Sequence, residues 1–305
     1  MERGICPFCG SNLYFEDSGK YTCFSCLYTG DKEDIIPDLG MMSVKKEYNP
    51  QMIKICNDAA LHFQANLYKC DYIKTRNISK ETQIKFRLGY ADDSLVKFLR
   101  KKGYTNDEMI AAGLAKEKEG KIYDVFFNRL MFPIFDHNNM IVGFGGRKTN
   151  QDSNSPKYLN SPETEIFRKK ENLYGIQDVE NFETIYMVEG FMDVISLHQA
   201  GVKNSVASLG TAVGRKHAQL LKNLGTKNLI LCLDSDNAGV NAALKVIPML
   251  SRYFNVKVLN VPEAKDPDEY IKRHSAEELY NLKICSWQEF YISHKGLNTE
   301  FLATL

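Results

Sequence analysis

The chain has 305 residues, which is enough for about two or three domains that each bury a core. Hydrophobic residues make up 44% and charged residues 25%, so the composition is globular and excludes a disordered or fibrous chain. The 39 Lys and Arg nearly balance the 38 Asp and Glu, which does not suggest a generic polyanion binder, so any basic surface must be local.

The sequence lacks both an apolar stretch of about 18–20 residues, the length of a membrane span, and the apolar run of a secretory signal. Four of the eight cysteines lie in the first 26 residues, and the others are scattered singly. A secreted disulfide scaffold would be short and dense in cysteine throughout. We therefore expect a cytoplasmic protein with no membrane partner.

Residues 1–36 are predicted to form a small zinc-binding domain. Two Cys-x2-Cys pairs, Cys6 with Cys9 and Cys23 with Cys26, flank a hairpin-like pattern over 13–15 and 20–22. Each pair offers two thiolates from one turn, and four thiolates complete a tetrahedral Zn²⁺ shell without a position for water. A redox dithiol or plain core cysteines are the alternatives, and the doubled spacing favours one structural zinc ion.

A linker over 37–51 precedes a mixed helical and strand-forming subdomain predicted over 52–180. Its helical pattern runs from about 53 to 114. Residues 45–102 hold 13 Lys and Arg against 6 Asp and Glu, as in a solvated helix face or a path for a phosphate backbone. The apolar runs 130–135 and 141–147 are separated by four turn-forming residues and predict a hairpin.

Strand and helix patterns then alternate over 181–272. Apolar runs at 185–188, 205–209, 229–233 and 256–259 are interleaved with helical stretches at 191–200, 216–224 and 239–253. This alternation predicts a parallel, Rossmann-like sheet with helices on both faces, and so an α/β fold. We expect residues 273–305 to form a helical tail.

Acidic residues follow three of the predicted strands. The carboxyl ends of parallel strands share one edge of a sheet, where ligands bind. Carboxylates gathered there repel one another unless cations offset their charge, and oxygen ligands favour Mg²⁺ or Mn²⁺. Two such ions about 3.5–4 Å apart would serve phosphoryl transfer. The residues are Glu189, Asp193, Asp234, Asp236, Asp266 and Asp268.

Each acidic group also has a plainer interpretation. Asp234 and Asp236 can be a helix N-cap and its neighbour. Residues 266–268 can be an ordinary helix start. Glu189 can be a solvated strand end. Their joint occurrence at three strand ends of one sheet favours the metal site.

Cations with an aromatic and an amide neighbour lie upstream of the sheet. Arginine matches phosphate oxygens with two parallel hydrogen bonds, and lysine offers a mobile point charge. Beside a metal cluster these residues would hold a triphosphate and a template backbone, although each alone is typical of an ordinary surface. The residues are Arg129, Arg147, Lys157, Lys169 and Lys170, with Tyr158 and Asn160.

Taken together, these stretches resemble the bacterial DnaG-type primases and their phage relatives, in the order and spacing of many motifs from about residue 52 to 275. The matching stretches are 76–79, 85–90, 127–135, 142–147, 156–164 and 172–175. Val188-Glu189-Gly190-Phe191-Met192-Asp193, Leu233-Asp234-Ser235-Asp236 and Asp266-Pro267-Asp268 look like the family's TOPRIM motifs.

The resemblance implies a primase that copies single-stranded DNA into short RNA primers from ribonucleoside triphosphates, with a divalent metal. It implies a metal-binding cluster supported by Asp193 and formed by Glu189, Asp234, Asp236, Asp266 and Asp268. The residues that would contact template or nucleotide are Arg129, Arg147, Lys157, Tyr158, Asn160 and Lys169. The zinc unit would read the start sequence on the template.

Three features depart from the cellular family. Cys9 stands where one zinc ligand is usually His, and the zinc domain is short. The chain also ends soon after the predicted sheet, so we expect a replicative helicase to be engaged differently or met in trans, or the chain to be one portion of a longer polypeptide. A phage or mobile-element origin is our hypothesis.

Two rival functions remain. Recombination mediators resembling RecR, which are non-catalytic DNA-binding modules, also join a four-cysteine zinc unit to a TOPRIM-like sheet, but they lack a counterpart of 127–175. A TOPRIM nuclease would use the same metals to cut nucleic acid, and the polymerase-like segment upstream argues against it.

Overall fold

The computed structural model describes residues 3–5, 12–15, 20–23, 29–31, 48–149, 155–210 and 212–295. Near the amino terminus, the described strands form one antiparallel sheet of β1 (Arg3–Ile5), β2 (Asn12–Phe15), β3 (Lys20–Cys23) and β4 (Thr29–Asp31). The predicted hairpin is confirmed, because β2 and β3 pair in antiparallel register, with Leu13 opposite Cys23.

Among the predicted zinc ligands, Cys23 lies at the end of β3, and Cys6, Cys9 and Cys26 lie outside the described residues. The zinc site therefore stays a prediction, as do the domain limits at residues 36, 51, 180 and 272.

The predicted helical region consists of several short helices around a longer first one. They are α1 (Pro50–Ala65), α2 (Asp71–Lys74), α3 (Lys80–Lys85), α4 (Leu95–Lys101) and α5 (Asn106–Ala111). α1 begins where the Asn49 side chain accepts a backbone N–H, and Pro50 fits its first turn because that position needs no helical donor. Ile55, Ala59 and Phe63, spaced four apart, form its buried face.

This face packs on an antiparallel sheet with the strand order β10-β9-β8-β5. The chain first forms β5 (Gly89–Ala91) and a separate hairpin of β6 (Ala115–Lys118) and β7 (Lys121–Asp124). It then forms β8 (Arg129–Phe135), β9 (Ile141–Lys148) and β10 (Tyr158–Asn160). The predicted hairpin at 130–147 is confirmed, and the Asp136 side chain accepts the backbone N–H groups of Asn138 and Met140 in its turn.

The alternating segment forms a five-stranded sheet in the order β12-β11-β13-β14-β15. Its strands are β11 (Thr184–Val188), β12 (Ser205–Ala207), β13 (Asn228–Leu231), β14 (Asn255–Leu259) and β15 (Ile284–Ser286). The first four are parallel, as predicted, and β15 is antiparallel to β14. The helices are α6 (Phe191–Gln199), α7 (Arg215–Asn223), α8 (Asn237–Leu250), α9 (Pro267–Ile271), α10 (Ala276–Tyr280) and α11 (Trp287–Lys295).

Alternate residues of the central strand enter two different cores, so the sheet is covered on both faces. Tyr186 and Val188 of β11 pack into the core that includes α6 and the β8–β9 sheet. Ile185 and Met187 pack into the core that includes α7 and α8. The predicted α/β class is therefore confirmed. Three short 3-10 turns complete the described helical structure, at Leu67–Lys69, Lys169–Glu171 and Ile176–Asp178.

Two strands lie where the sequence predicts helix. β5 crosses α1 so closely that a Cβ at Gly89 would lie 2.5 Å from the backbone carbon of Phe63, which makes glycine necessary there. β15 lies within the expected helical tail and adds an antiparallel edge to the sheet. Both strands have three residues, too few to show a period.

In the described part of the chain, every helix is too short or too polar to cross a membrane.

Candidate active site

A cavity of about 260 Å³ lies between the parallel sheet and the β8–β10 layer, and it brings most of the predicted acidic and basic residues together. Its acidic side is formed by residues at the carboxyl edge of the parallel sheet, and its basic side comes mainly from upstream segments. The lining residues are Tyr72, Arg76, Arg147, Lys157, Tyr158, Glu189, Gly190, Met192, Asp193, Asp234, Lys265, Asp266 and Asp268.

The acidic side begins where two neighbouring strands end. β11 and β13 pair in parallel register up to Met187 and Leu231, so the residues that follow them emerge at the same edge. Glu189 Oε1 accepts a hydrogen bond of 3.0 Å from the Asp234 backbone N–H. This bond fixes the ends of the two strands to each other.

The loop after β13 is held tightly against α8. A Cβ at Gly239, in the first turn of that helix, would lie 2.1 Å from the backbone oxygen of Asp234. Asp236 Oδ1 accepts the backbone N–H groups of Ala238 at 2.9 Å and Gly239 at 3.0 Å. Asp236 is therefore the N-cap of α8 and does not line the cavity.

Asp266 is a helix cap as well. Its Oδ1 accepts the backbone N–H of Glu269 at 2.8 Å and begins α9. The plainer interpretation offered by the sequence is thus correct for the contacts of Asp236 and Asp266, while Asp266 also lines the cavity.

Asp193 is buried beneath the cavity and connects two of its walls. Its Oδ2 accepts the Gly190 backbone N–H at 3.0 Å, and its Oδ1 accepts the Asp268 backbone N–H at 3.2 Å. Burial, followed by the nearby Asp266 charge, raises the pKa of Asp193 to about 7. We assign Asp193 to positioning the backbone of the cavity.

Asp234 is close enough to other carboxylates to feel their charge. Burial and then Glu189 and Asp266 raise the pKa of Asp234 to about 6. Lys265 Nζ lies 3.9 Å from Asp234 Oδ2 and opposes this shift. The carboxylates of this edge therefore repel one another, as the sequence predicts.

Asp268 is the most heavily engaged carboxylate of the cavity. Ser196 Oγ donates to its Oδ1 at 2.5 Å, while Lys272 Nζ donates to Oδ2 at 2.6 Å and Arg76 donates to the same oxygen. Within the described ranges, no group of three or more His, Cys, Asp or Glu side chains is arranged to hold one ion. The predicted acidic residues thus share a cavity, with Asp236 just outside it, and each has protein partners of its own.

The basic side is organised by aromatic rings. The Arg147 guanidinium lies 3.7 Å from the centre of the Tyr72 ring, and Arg76 lies 5.6 Å from the same centre. Tyr158 stacks on Phe191 at 6.0 Å between ring centres. Burial raises the pKa of Tyr158 to about 12, so its hydroxyl stays protonated at neutral pH.

Three predicted contact residues lie away from this cavity. Arg129 is buried, and its guanidinium donates to the backbone oxygens of Gly146 and Pro156 at 3.0–3.1 Å. Its guanidinium thus holds the backbone at Gly146 and Pro156, and its contact with template stays a prediction. Asn160 donates to the Leu209 backbone oxygen, and Lys169 lies in a 3-10 turn outside the cavity lining.

The sequence analysis missed several residues of the cavity. Arg76 is separated from its partner Asp268 by 192 positions, and no local pattern connects the two. Tyr72 reads as an ordinary helical residue and Lys265 as a loop cation, while Lys272 contacts Asp268 from outside the cavity lining. The stretch 76–79, which resembles the primases, was the one signal that included Arg76.

A parallel sheet with carboxylates at one edge, next to a basic α+β layer, is the arrangement of a TOPRIM domain. Residues 57–180 match the N-terminal domain of the DNA primase catalytic core, and residues 186–271 match the Toprim-like family. A DNA primase of Clostridium acetobutylicum is 38% identical over 319 residues, covering 92% of this chain and 53% of that primase.

Solved primase structures are similar over most of the chain. The RNA polymerase domain of Mycobacterium tuberculosis primase DnaG has a TM-score of 0.77 and 29% identity, covering 84% of this chain and 91% of that one. The zinc-binding and RNA polymerase domains of Aquifex aeolicus primase have a TM-score of 0.74 and 29% identity, covering 99% and 85%. A DnaG primase catalytic domain bound to ssDNA has a TM-score of 0.70 and 30% identity, covering 83% and 89%.

The chain therefore belongs to the DnaG-type primase family, as its motifs predict. It spans about half the length of the curated primase above.

Proposed function

We propose that this chain synthesises short RNA primers on single-stranded DNA from ribonucleoside triphosphates by metal-dependent nucleotidyl transfer. The observation that carries the proposal is the shared cavity, in which Glu189, Asp234 and Asp268 face Arg76, Arg147 and Lys157. Carboxylates bind divalent metal ions, and arginine and lysine side chains bind phosphates. One wall therefore suits the catalytic metal ions, and the other suits the nucleotide and the template backbone.

The oxygen donors of this edge are of the chemical kind that Mg²⁺ or Mn²⁺ prefers, while among the described residues they contact protein partners and do not converge on one point. Several carboxylates lie at one edge, and their proximity helps to raise the pKa values of Asp193 and Asp234. A divalent cation would offset the repulsion between them. Glu189, Asp234 and Asp268 would hold the ions, with Asp266 beside them and Asp236 just outside the cavity. When bound, such ions lower the pKa of the attacking 3′-hydroxyl and offset the charge of the departing pyrophosphate.

The side chains of the basic wall would bind and orient the phosphates. Arg147 is held against Tyr72, so its guanidinium is positioned before a nucleotide arrives. Lys157 and Lys265 lie at the cavity wall and would neutralise phosphate charge as it develops. Asp193 would keep the Gly190 and Asp268 backbones in register beneath them.

The zinc unit and the partners belong to the same proposal. Cys6, Cys9, Cys23 and Cys26 would bind one structural Zn²⁺, and the zinc unit would contact the template. The chain is similar over 99% of its length to a primase structure that includes a zinc-binding domain, and this similarity supports the assignment. A replicative helicase acting in trans would deliver single-stranded template in the cytoplasm, where the chromosome is copied.

Primer synthesis tests the proposal directly. The full chain is incubated with single-stranded DNA, labelled ribonucleotides and Mg²⁺ or Mn²⁺, and compared with Asp234→Asn and the exposed control Asp107→Asn. We expect short labelled products that fall by about 100-fold or more in Asp234→Asn and persist in the control. Shortening of the template would instead indicate a nuclease, and DNA binding without product a non-catalytic module.

A further inference from the structure

Asp268 and Lys272 form an ion pair along one side of a short helix at the edge of the cavity. α9 begins at its N-cap Asp266, and the i,i+4 spacing brings the Lys272 ammonium 2.6 Å from Asp268 Oδ2. The Asp268 side chain is 9% exposed, whereas that of Lys272 is 37% exposed. The carboxylate is thus fixed inside the cavity wall, and the ammonium reaches it from solvent.

The lone pairs of this carboxylate are largely occupied. Each oxygen of an ionised carboxylate accepts about two hydrogen bonds. Oδ2 receives both Lys272 and Arg76, and Oδ1 receives Ser196. A divalent cation that takes Asp268 Oδ2 as a ligand must therefore displace one of the two protein cations.

Lys272 is the cation that leaves more readily. Its ammonium sits on a flexible four-carbon chain beside solvent and regains hydration when it swings away. The Arg76 side chain is 22% exposed and lies against the Tyr72 ring, so its withdrawal would break a second contact.

We propose that Lys272 is a displaceable counter-ion that competes with a divalent cation for Asp268 and thereby sets the affinity of the cavity for the ion. The inference rests on the proposed function, because it requires a divalent cation at this edge. Lys272 is a positioning residue in this role: it holds Asp268 toward the cavity wall until the ion replaces it.

The test measures ion binding in the full chain without nucleotide or DNA. Free Mn²⁺ is followed by electron paramagnetic resonance during titration of the wild type, Lys272→Met, Lys272→Arg and Arg273→Met. Arg273 is the matched control, since it also forms an i,i+4 pair, at 2.6 Å, but its partner Glu269 lies outside the cavity lining. Asp268→Asn should lose the Mn²⁺ site that uses this carboxylate, and it thereby identifies that site in the titration.

We expect Lys272→Met to bind Mn²⁺ about three- to tenfold more tightly at that site. Lys272→Arg should keep the wild-type affinity because it keeps the charge, and Arg273→Met should also keep it. An equal gain in Mn²⁺ affinity in Lys272→Met and Arg273→Met would overturn the inference, because it would show a general effect of removing positive charge. An unchanged Mn²⁺ affinity in Lys272→Met would overturn it as well. Failure of every protein to bind Mn²⁺ would overturn the metal site of the proposed function as well.

Discussion

The guanidinium of Arg147 lies 3.7 Å from the centre of the Tyr72 ring, and the guanidinium of Arg76 lies 5.6 Å from it. One ring therefore contacts two cations that point into an acidic cavity. The negative face of an aromatic ring attracts cations and partly offsets the repulsion between two arginines that lie close together. Tyr72 comes from α2, a four-residue helix, so a minor local element positions the basic wall.

We expect Tyr72→Leu to lower primer synthesis about 3- to 30-fold, mainly by raising KM for ribonucleotides, because Arg147 loses the surface that holds it. Tyr72→Phe keeps the ring face and should keep most of the activity. Steady-state kinetics on a fixed template measure both. Tyr68→Leu is the control, since Tyr68 is exposed and lies over Lys69, outside the cavity. Equal losses in Tyr72→Leu and Tyr72→Phe would assign the effect to the hydroxyl instead.

Gly239 offers a second test, of the loop that carries Asp234. Its missing Cβ leaves room for the Asp234 backbone oxygen, which would otherwise lie 2.1 Å away. Gly239→Ala should push this loop off α8, weaken Mn²⁺ binding about tenfold or more, and reduce primer synthesis. Mn²⁺ titration and product gels measure the two effects.

The control for this variant is Gly214→Ala, at the N-cap of α7, where the nearest neighbour of a new Cβ would be 4.0 Å away. It should leave ion binding within about twofold of the wild type. Wild-type binding by Gly239→Ala would contradict the close approach described for Asp234.

The sequence predicts the larger sheet well for a physical reason. Strands buried on both faces are continuous apolar runs, and they stand out when Gly, Asn or Asp bounds them, as in β11 and β13. Three-residue strands such as β5 and β15 are too short to form a recognisable apolar run. The acidic residues come directly after parallel strands, so the sequence also predicts that they lie together at one edge of the sheet.

The partners of those carboxylates could not be predicted in the same way. Arg76 reaches Asp268 across 192 positions, and Ser196 reaches it across 72, so these contacts exist only after folding. Arg129 is a second example: its sequence neighbourhood resembles a template contact, but its burial and its backbone contacts could not be predicted from the sequence. Whether an arginine binds phosphate or backbone depends on tertiary packing.

Arg129 is expected to act on stability. Arg129→Met removes donors from the backbone oxygens of Gly146 and Pro156, and we expect it to lower the free energy of unfolding by about 2–3 kcal/mol. Urea unfolding followed by circular dichroism measures this change. The exposed Arg100, which donates to Asn106, supplies the control Arg100→Met, which should lose less than about 0.5 kcal/mol. A stable Arg129→Met protein with lost template binding would assign Arg129 to the contact residues.

The pKa of Asp193, raised to about 7 by burial, predicts how stability depends on pH. A carboxyl with a raised pKa in the folded state favours folding while it is protonated, so its contribution is complete below about pH 4 and is lost as pH rises through 7. Between pH 5 and 8, the free energy of unfolding of the wild type minus that of Asp193→Asn should fall by about 2–3 kcal/mol. Urea unfolding in EDTA, read from Trp287 fluorescence, measures it at each pH.

Glu108→Gln is the control for this titration. Hydrogen bonds from the Thr105 backbone and from the Gln51 and Thr105 side chains lower the pKa of Glu108, so its contribution is already complete above about pH 5.5. None of these partners titrates between pH 5.5 and 8, so the wild-type-minus-Glu108→Gln difference should stay flat over that range, where the Asp193 difference falls. Since Asp193 accepts the Asp268 backbone N–H, a flat Asp193 difference as well would show that this carboxyl is ionised in the folded protein. In that event the acidic edge would carry one more negative charge at neutral pH, and its demand for a divalent cation would be greater.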